Sequence, residues 1–153
     1  MDIYSPLDGQ AVDLKEVPDK TFADKIMGEG VAVKPEIIDG ISEIAAPLDG
    51  EVSHIFETYH AFVITDENNI SILVHIGLDT VKLNGENFTS FVKLGDKVKK
   101  GDKIISANFT KIAQAGYKTI TPVILLEPEK YANIKTFLGD VQIAKTTIFS
   151  IQK

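Results

Sequence analysis

The sequence predicts an all-β fold, a sandwich or barrel built on a duplicated β unit, with helices few and short. Three observations carry that expectation. Short apolar or alternating runs recur along the chain and are bounded by Gly and Asp turns. Two segments nearly repeat, Ser5-Pro6-Leu7-Asp8-Gly9-Gln10-Ala11-Val12 and Ala46-Pro47-Leu48-Asp49-Gly50-Glu51-Val52, each a proline-opened turn whose Gly feeds a strand. The stretch Val92–Ile104 repeats Gly-Asp at a spacing of six residues, Gly95-Asp96 and Gly101-Asp102, as hairpins with positive-φ positions require.

Taken in order, the strands follow from period-two patterns. Val52, His54 and Phe56 alternate through Glu51–Phe56, and Ala61–Thr65, Ile70–Ile76, Lys103–Ala107, Ile120–Leu126 and Thr146–Ile151 are apolar runs of strand length. Two brief helices are expected, Lys111–Ala115 and, after Pro128-Glu129, Lys130–Phe137.

The 153 residues are 44% hydrophobic and 25% charged, the balance of a single domain spanning 1–153. A chain of this length buries enough surface to fold without disulfide or metal staples. Its net charge of −6, with no Lys/Arg block longer than Lys99-Lys100, argues against nucleic acid and suits a basic protein partner. The absence of cysteine removes disulfides, thiolate metal sites and a cysteine nucleophile. Met-Asp-Ile-Tyr-Ser-Pro is no signal peptide and no apolar run has membrane-spanning length, so a cytoplasmic location without membrane insertion is expected.

Any nucleophilic site must draw on three histidines, His54, His60 and His75. A lone strand histidine is most often a packing or surface residue, and His54 keeps that reading. Counting by twos from His60 puts Thr58, Phe56 and Phe62 on its side of the sheet. With Asp66-Glu67-Asn68-Asn69 as a hairpin centred between Glu67 and Asn68, His60 and His75 become direct cross-strand partners. Two adjacent imidazoles beside a hydroxyl suit either metal ligation or a nucleophile with a stabilising neighbour. A neutral imidazole attacks phosphorus readily near pH 7.

Phe56-Glu57-Thr58-Tyr59-His60-Ala61-Phe62, followed by Val74-His75-Ile76-Gly77-Leu78-Asp79-Thr80-Val81, resembles the glucose-type IIA domains of the bacterial phosphoenolpyruvate:sugar phosphotransferase system. Phe22–Pro35, both Gly-Asp turns and Thr121-Pro122-Val123 agree as well, so the resemblance runs from about Tyr4 to Ile151. It implies a duplicated β-sandwich of the barrel-sandwich hybrid type and a phosphoryl carrier that needs no cofactor or resident metal. In that reading His75 takes the phosphoryl group on Nε2 from phospho-HPr and passes it to a cysteine of a IIB domain. His60 is the second active-site imidazole, held by Thr58, and the Gly77 carbonyl accepts from His75 Nδ1. Asp19 and Asp79 match acidic positions that meet the partner, and Phe22, Met27, Phe56 and Val81 match an exposed apolar docking rim. Regulatory proteins are a further class of partner for this family. Lys20-Thr21 depart from residues that are commonly apolar in that rim.

Two other classes share parts of the pattern. A lysostaphin-type zinc peptidase has a similar β architecture but needs a His-x-His pair late in the chain, and no histidine follows His75. A biotinyl or lipoyl carrier resembles the Pro47–Val52 turn but needs a modifiable Lys beside Met or within Asp-Lys-Ala, and neither context occurs.

Overall fold

Both proline-opened turns lead into strands in the computed structural model, which describes residues 1–37, 40–131 and 133–152. In chain order the elements are β1 (Asp2–Tyr4), β2 (Gly9–Asp13), α1 (Lys20–Ala23), β3 (Glu29–Pro35), β4 (Ile41–Ala45), β5 (Gly50–Ile55), β6 (Ala61–Thr65) and β7 (Ser71–His75). They continue as β8 (Phe88–Ser90), β9 (Lys97–Val98), β10 (Lys103–Asn108), α2 (Phe109–Gln114), β11 (Thr121–Leu125), β12 (Asn133–Thr136), β13 (Gly139–Val141) and β14 (Thr147–Gln152). Short 3-10 turns occupy Leu14–Glu16, Thr80–Leu83 and Pro128–Lys130.

Among the described residues an eight-stranded sheet runs β13-β2-β3-β11-β7-β6-β5-β9, accompanied by two three-stranded sheets, β1-β14-β12 and β4-β10-β8. From either end the large sheet reads alike: β13-β2-β3-β11 is matched by β9-β5-β6-β7. The two halves meet where Val123 pairs Val74. Gly9 lies opposite Val141 as Gly50 lies opposite Val98. Tyr4 N–H donates to the Pro47 carbonyl and Ala45 N–H to that of Pro6; Gly101 N–H donates to Ala46 and Ala144 N–H to Ser5. Asp8 accepts from Ile143 N–H and Asp49 from Lys100 N–H, both at 2.7 Å. The expected duplication is therefore present down to single hydrogen bonds.

Strands at the middle of the large sheet are apolar throughout because both faces are covered. Phe62, Ile64, Ile72, Val74, Val31, Val33 and Val123 face a core shared with Ile44, Ile105 and Phe149. Ala61, Val63, Leu73, Ala32 and Ile124 face the other way, under Leu14, Val17, Phe22 and Leu78. Each large side chain buried on either face stabilises the fold by roughly 1.5–3 kcal/mol.

Gly95 and Gly101 sit at φ +90° and +92°, and Asp96 and Asp102 accept from Lys93 and Lys99 N–H at 2.9 Å. These matched turns flank β9, which pairs with β5. The helix expected at Lys111–Ala115 is α2, starting earlier because Asn108 accepts from Lys111 N–H at 3.1 Å.

Among the described residues of Lys130–Phe137 no helix forms; residue 132 of that span lies outside them. Pro128 opens only the single turn Pro128–Lys130, after which Asn133–Thr136 pairs with β14 as an edge strand. The polar, exposed residues that suggested a helix face are the solvent side of that edge, where ladder pairing outweighs local preference.

Candidate active site

The β6–β7 hairpin turns through the three residues Glu67–Asn69. Asp66 N–H donates to Ile70 O, Asp66 Oδ1 accepts from Asn68 and Ile70 N–H at 2.9 Å, and Asn69 takes φ +64°. The loop is thus one residue longer than a turn centred between 67 and 68, and Ala61, not His60, lies opposite His75. The alternation expected through Phe56, Thr58, His60 and Phe62 also fails. Tyr59 at φ +56° closes a turn onto Phe56 O, and Phe62 is buried on the opposite face, in the main core.

This failure of alternation builds the site. Phe56 N–H donates to Ala61 O, so Phe56, Ala61 and His75 form a row across three chain segments. Ala61 is the small member of that row. The His60 ring, turned in by the Tyr59 bend, lies between its large members, 5.0 Å from the Phe56 ring and 5.1 Å from the His75 ring between centroids. His60 O accepts from Ile76 N–H at 2.7 Å, fixing the bend to the end of β7.

Hydrogen bonds orient both imidazoles. His75 Nδ1 is 2.7 Å from Gly77 O, and a carbonyl only accepts, so Nδ1 carries the proton and Nε2 keeps its lone pair. Gly77 sits at φ +75°, where a Cβ would come within 2.7 Å of Lys118 O and 2.8 Å of Thr80 Cγ2, so the turn admits only glycine. Leu78 N–H donates to Lys118 O at 3.0 Å and Thr80 Oγ1 donates to Ile76 O at 2.6 Å, which locks that carbonyl in place. The Thr58 hydroxyl lies 2.6 Å from His60 Nδ1. Both side chains therefore use Nδ1 structurally and leave Nε2 free for chemistry.

Burial, helped by the neighbouring His75, pushes the His60 pKa down to about 4. Burial also lowers that of His75, against the opposing pull of the Gly77 carbonyl and the carboxylates of Asp19 and Asp79. Both rings are neutral at pH 7.

Asp19 caps α1, accepting from Thr21 N–H at 3.0 Å, and Asp79 stands exposed at φ +60° ahead of the Thr80–Leu83 turn. Met27 and Val81 are exposed at 40% and 47%, as a docking rim requires, and Phe56 is half-buried. Phe22 departs from the expected exposed rim: it is 5% exposed, with its ring 5.1 Å from that of His75. The link from β2 to β3 crosses the sheet face and buries Phe22 with Leu14, Val17 and Leu78, so Phe22 buttresses His75 from within. The sequence reading missed Ile26, 72% exposed beside Met27, and Tyr59, which stands out of the His60 turn. Lys20 is exposed next to Asp19. A concavity of about 950 Å³ near Tyr4, Ser53, Thr65 and Lys100 lies at the other end of β6 and β7 and touches none of these residues.

Residues 1–131 match the family model for the phosphoenolpyruvate-dependent sugar phosphotransferase system, EIIA 1. The chain is 47% identical over 133 residues to the PTS system glucose-specific EIIA component of Oceanobacillus iheyensis, covering 87% of this chain and 78% of that one. It is 45% identical over 130 residues to the PTS system beta-glucoside-specific EIIBCA component of Bacillus subtilis, covering 85% of this chain and 21% of the longer protein. Glucose permease IIA from Mycoplasma capricolum superposes with a TM-score of 0.87 at 30% identity, covering 97% of this chain and 94% of that one. These relatives support neither the peptidase nor the biotinyl or lipoyl reading. The chain belongs to the EIIA 1 family of the sugar phosphotransferase system and is a phosphoryl carrier of that relay.

Proposed function

We propose that His75 carries the phosphoryl group, with residues 1–153 acting as one IIA domain between phospho-HPr and a IIB domain of a sugar permease. The observation that carries this reading is the His75 Nδ1 contact with Gly77 O, which leaves Nε2 neutral and unprotonated on a half-buried ring at the site face. That nitrogen forms the new N–P bond as the bond from phosphorus to the donor histidine breaks, and the donor nitrogen keeps the electron pair. His60 steadies the transferring oxygens: when the Thr58 hydroxyl donates to His60 Nδ1, the ring proton sits on Nε2 and is available to them. Passage to a IIB cysteine repeats the step in the other direction. A loose transition state of this kind asks for in-line placement and charge stabilisation, which two pinned rings supply.

Asp19 and Asp79 face a site that must receive a dianionic group. Two such carboxylates are unfavourable there unless a cationic surface covers them during transfer. That favours a basic donor such as HPr, docked on Met27, Val81, Ile26 and the half-buried edge of Phe56, with Phe22 behind His75. The fused EIIBCA relative supports a IIB partner. A cytoplasmic setting belongs to this reading; among the described residues no helix is long and apolar enough to cross a membrane. Incubation with phosphoenolpyruvate, enzyme I and HPr is expected to add one acid-labile, alkali-stable phosphoryl group, mapped to the peptide holding His75. A label on His54, His60 or a serine would overturn the assignment.

A further inference from the structure

We propose that His54 is a positioning residue for the phosphoryl-transfer site, acting through Phe56 on the His60 ring. The inference rests on the reading of His75 and His60 given above. In a regular strand His54 would share the face of Val52, which is buried in the main core opposite Ile64. The β5–β6 register instead shifts between Val52 and His54, so that His54 lies opposite Val63 and Ile55 opposite Phe62. Residues directly opposite one another in an antiparallel pair share a face. Val63 belongs to the cluster of Ala61, Leu73 and Phe22, on the side of the sheet that carries His75, whereas Phe62 points into the main core. The extra residue at Ser53 therefore moves the third histidine of the chain onto the face of the site, and bulges beside active sites commonly re-aim a side chain in this way.

There His54 meets Phe56 edge to face, with ring centroids 4.6 Å apart and planes at 86°. Phe56 in turn meets His60 at 5.0 Å and 64°, and His60 meets His75 at 5.1 Å and 79°. Phe56 is only half-buried and sits outside the strand, at the start of the Glu57–His60 turn, so the main core alone does not fix its ring. His54, itself exposed, braces Phe56 at a second ring contact besides the one with His60. Orientation of the His60 ring matters because its Nε2 must meet oxygens that move during transfer.

The test compares His54→Ala and His54→Phe in the full chain, using single-turnover transfer from phospho-HPr and to a IIB domain, together with the His60 ring signals by NMR in unphosphorylated protein. His54→Ala is expected to slow the transfer step about three- to tenfold, the range that an aromatic pair contact converts to, with unchanged half-saturating partner concentration. It is also expected to shift the His60 resonances. His54→Phe, which keeps the ring contact without the imidazole, is expected to restore both. Wild-type rate and His60 signals in His54→Ala would overturn the proposal. So would a change confined to the half-saturating concentration, which is docking, or a His54→Phe variant no better than His54→Ala. The NMR arm needs no phosphoryl group, so a failure to label His75 counts against the proposed function and leaves this inference to be decided by the ring signals.

Discussion

Two links at equivalent places in the duplicated frame have gone different ways. Residues 14–28 join β2 to β3, and residues 56–60 join β5 to β6. By register, Gly30 and Ile124 hold the places in the first unit that Ala61 and His75 hold in the second. The long link runs over the sheet face, burying Leu14, Val17 and Phe22 and exposing Ile26 and Met27. The short link is a tight bend that turns His60 in beside His75. One unit thus provides cover and a pair of exposed apolar side chains, the other the imidazoles. The strands are indifferent to this division: in the proposed reading, function sits in what connects them and in one residue at a strand end.

The largest effect should come from asking whether the frame alone makes a site. His75→Ala is expected to abolish phosphoryl acceptance, read as loss of the mass increment after incubation with the upstream relay. Adding Ile124→His to that variant should restore nothing. Ile124 is wholly buried under the long link and is followed by Leu125 and Leu126, with no counterpart of the Gly77 turn to hold Nδ1. A labelled double variant would show that strand position suffices and that the links matter less than argued.

Next in size is His60→Gln, which keeps the frame and both links but removes the imidazole of the short one. Acceptance from HPr should persist while onward transfer to IIB falls by about 10²–10³, the usual cost of losing a preorganised donor. Rapid-quench rates equal to wild type in both directions would take His60 out of the mechanism.

Much of this division was legible in the sequence, and the losses have physical causes. Ala61–Thr65 was read to its ends because β6 is apolar on both faces and bounded by turns. The repeat was visible because proline and glycine are needed at the same turn positions in both units. The register of His60 and His75 was missed by one residue because Asn69 adopts the left-handed conformation and lengthens the loop. Asn in that position is the signal that would have shown it. The Ser53 bulge contains no glycine and left no trace, so His54 was read as ordinary. Burial of Phe22 depends on where a long link lies, which periodicity does not report.

Ala61→Leu probes the row that makes room for His60. Ala61 is fully buried, and a larger side chain there must take the space between Phe56 and His75, at a cost of about 1–3 kcal/mol for overpacking. The expected result is an NMR pKa for His60 that rises from about 4 toward 6.5 as the ring is expelled, with slower onward transfer. The equivalent Gly30 is limited differently, since a Cβ there would lie 2.1 Å from the backbone oxygen of Val123. An unmoved pKa in Ala61→Leu would mean that the row does not hold His60.

A smaller effect appears in stability against pH. Both histidines have folded pKa values below the ordinary 6.5, so below that pH the unfolded chain binds more protons than the folded one. Stability should fall as pH drops from 7 toward about 4, and the His60 contribution should level off below its folded value. Urea midpoints measured at pH 7 and pH 5 should therefore differ in wild type and differ less in His60→Gln. Equal differences in the two proteins would place the proton-linked strain elsewhere.

The smallest expected effect tests the part of the comparison in which the units agree. Asp8 and Asp49 each accept one backbone N–H across the frame, from Ile143 and Lys100, at the same 2.7 Å and in exposed surroundings. Neither touches the histidines. Asp8→Ala and Asp49→Ala should each lower stability by about 0.5–1.5 kcal/mol, the net worth of one such bond, with the two values agreeing within error and phosphoryl transfer unchanged. If Asp49→Ala slowed transfer while Asp8→Ala did not, the second unit would need its frame tuned to the site, and the strands would no longer be indifferent to the division of labour between the links.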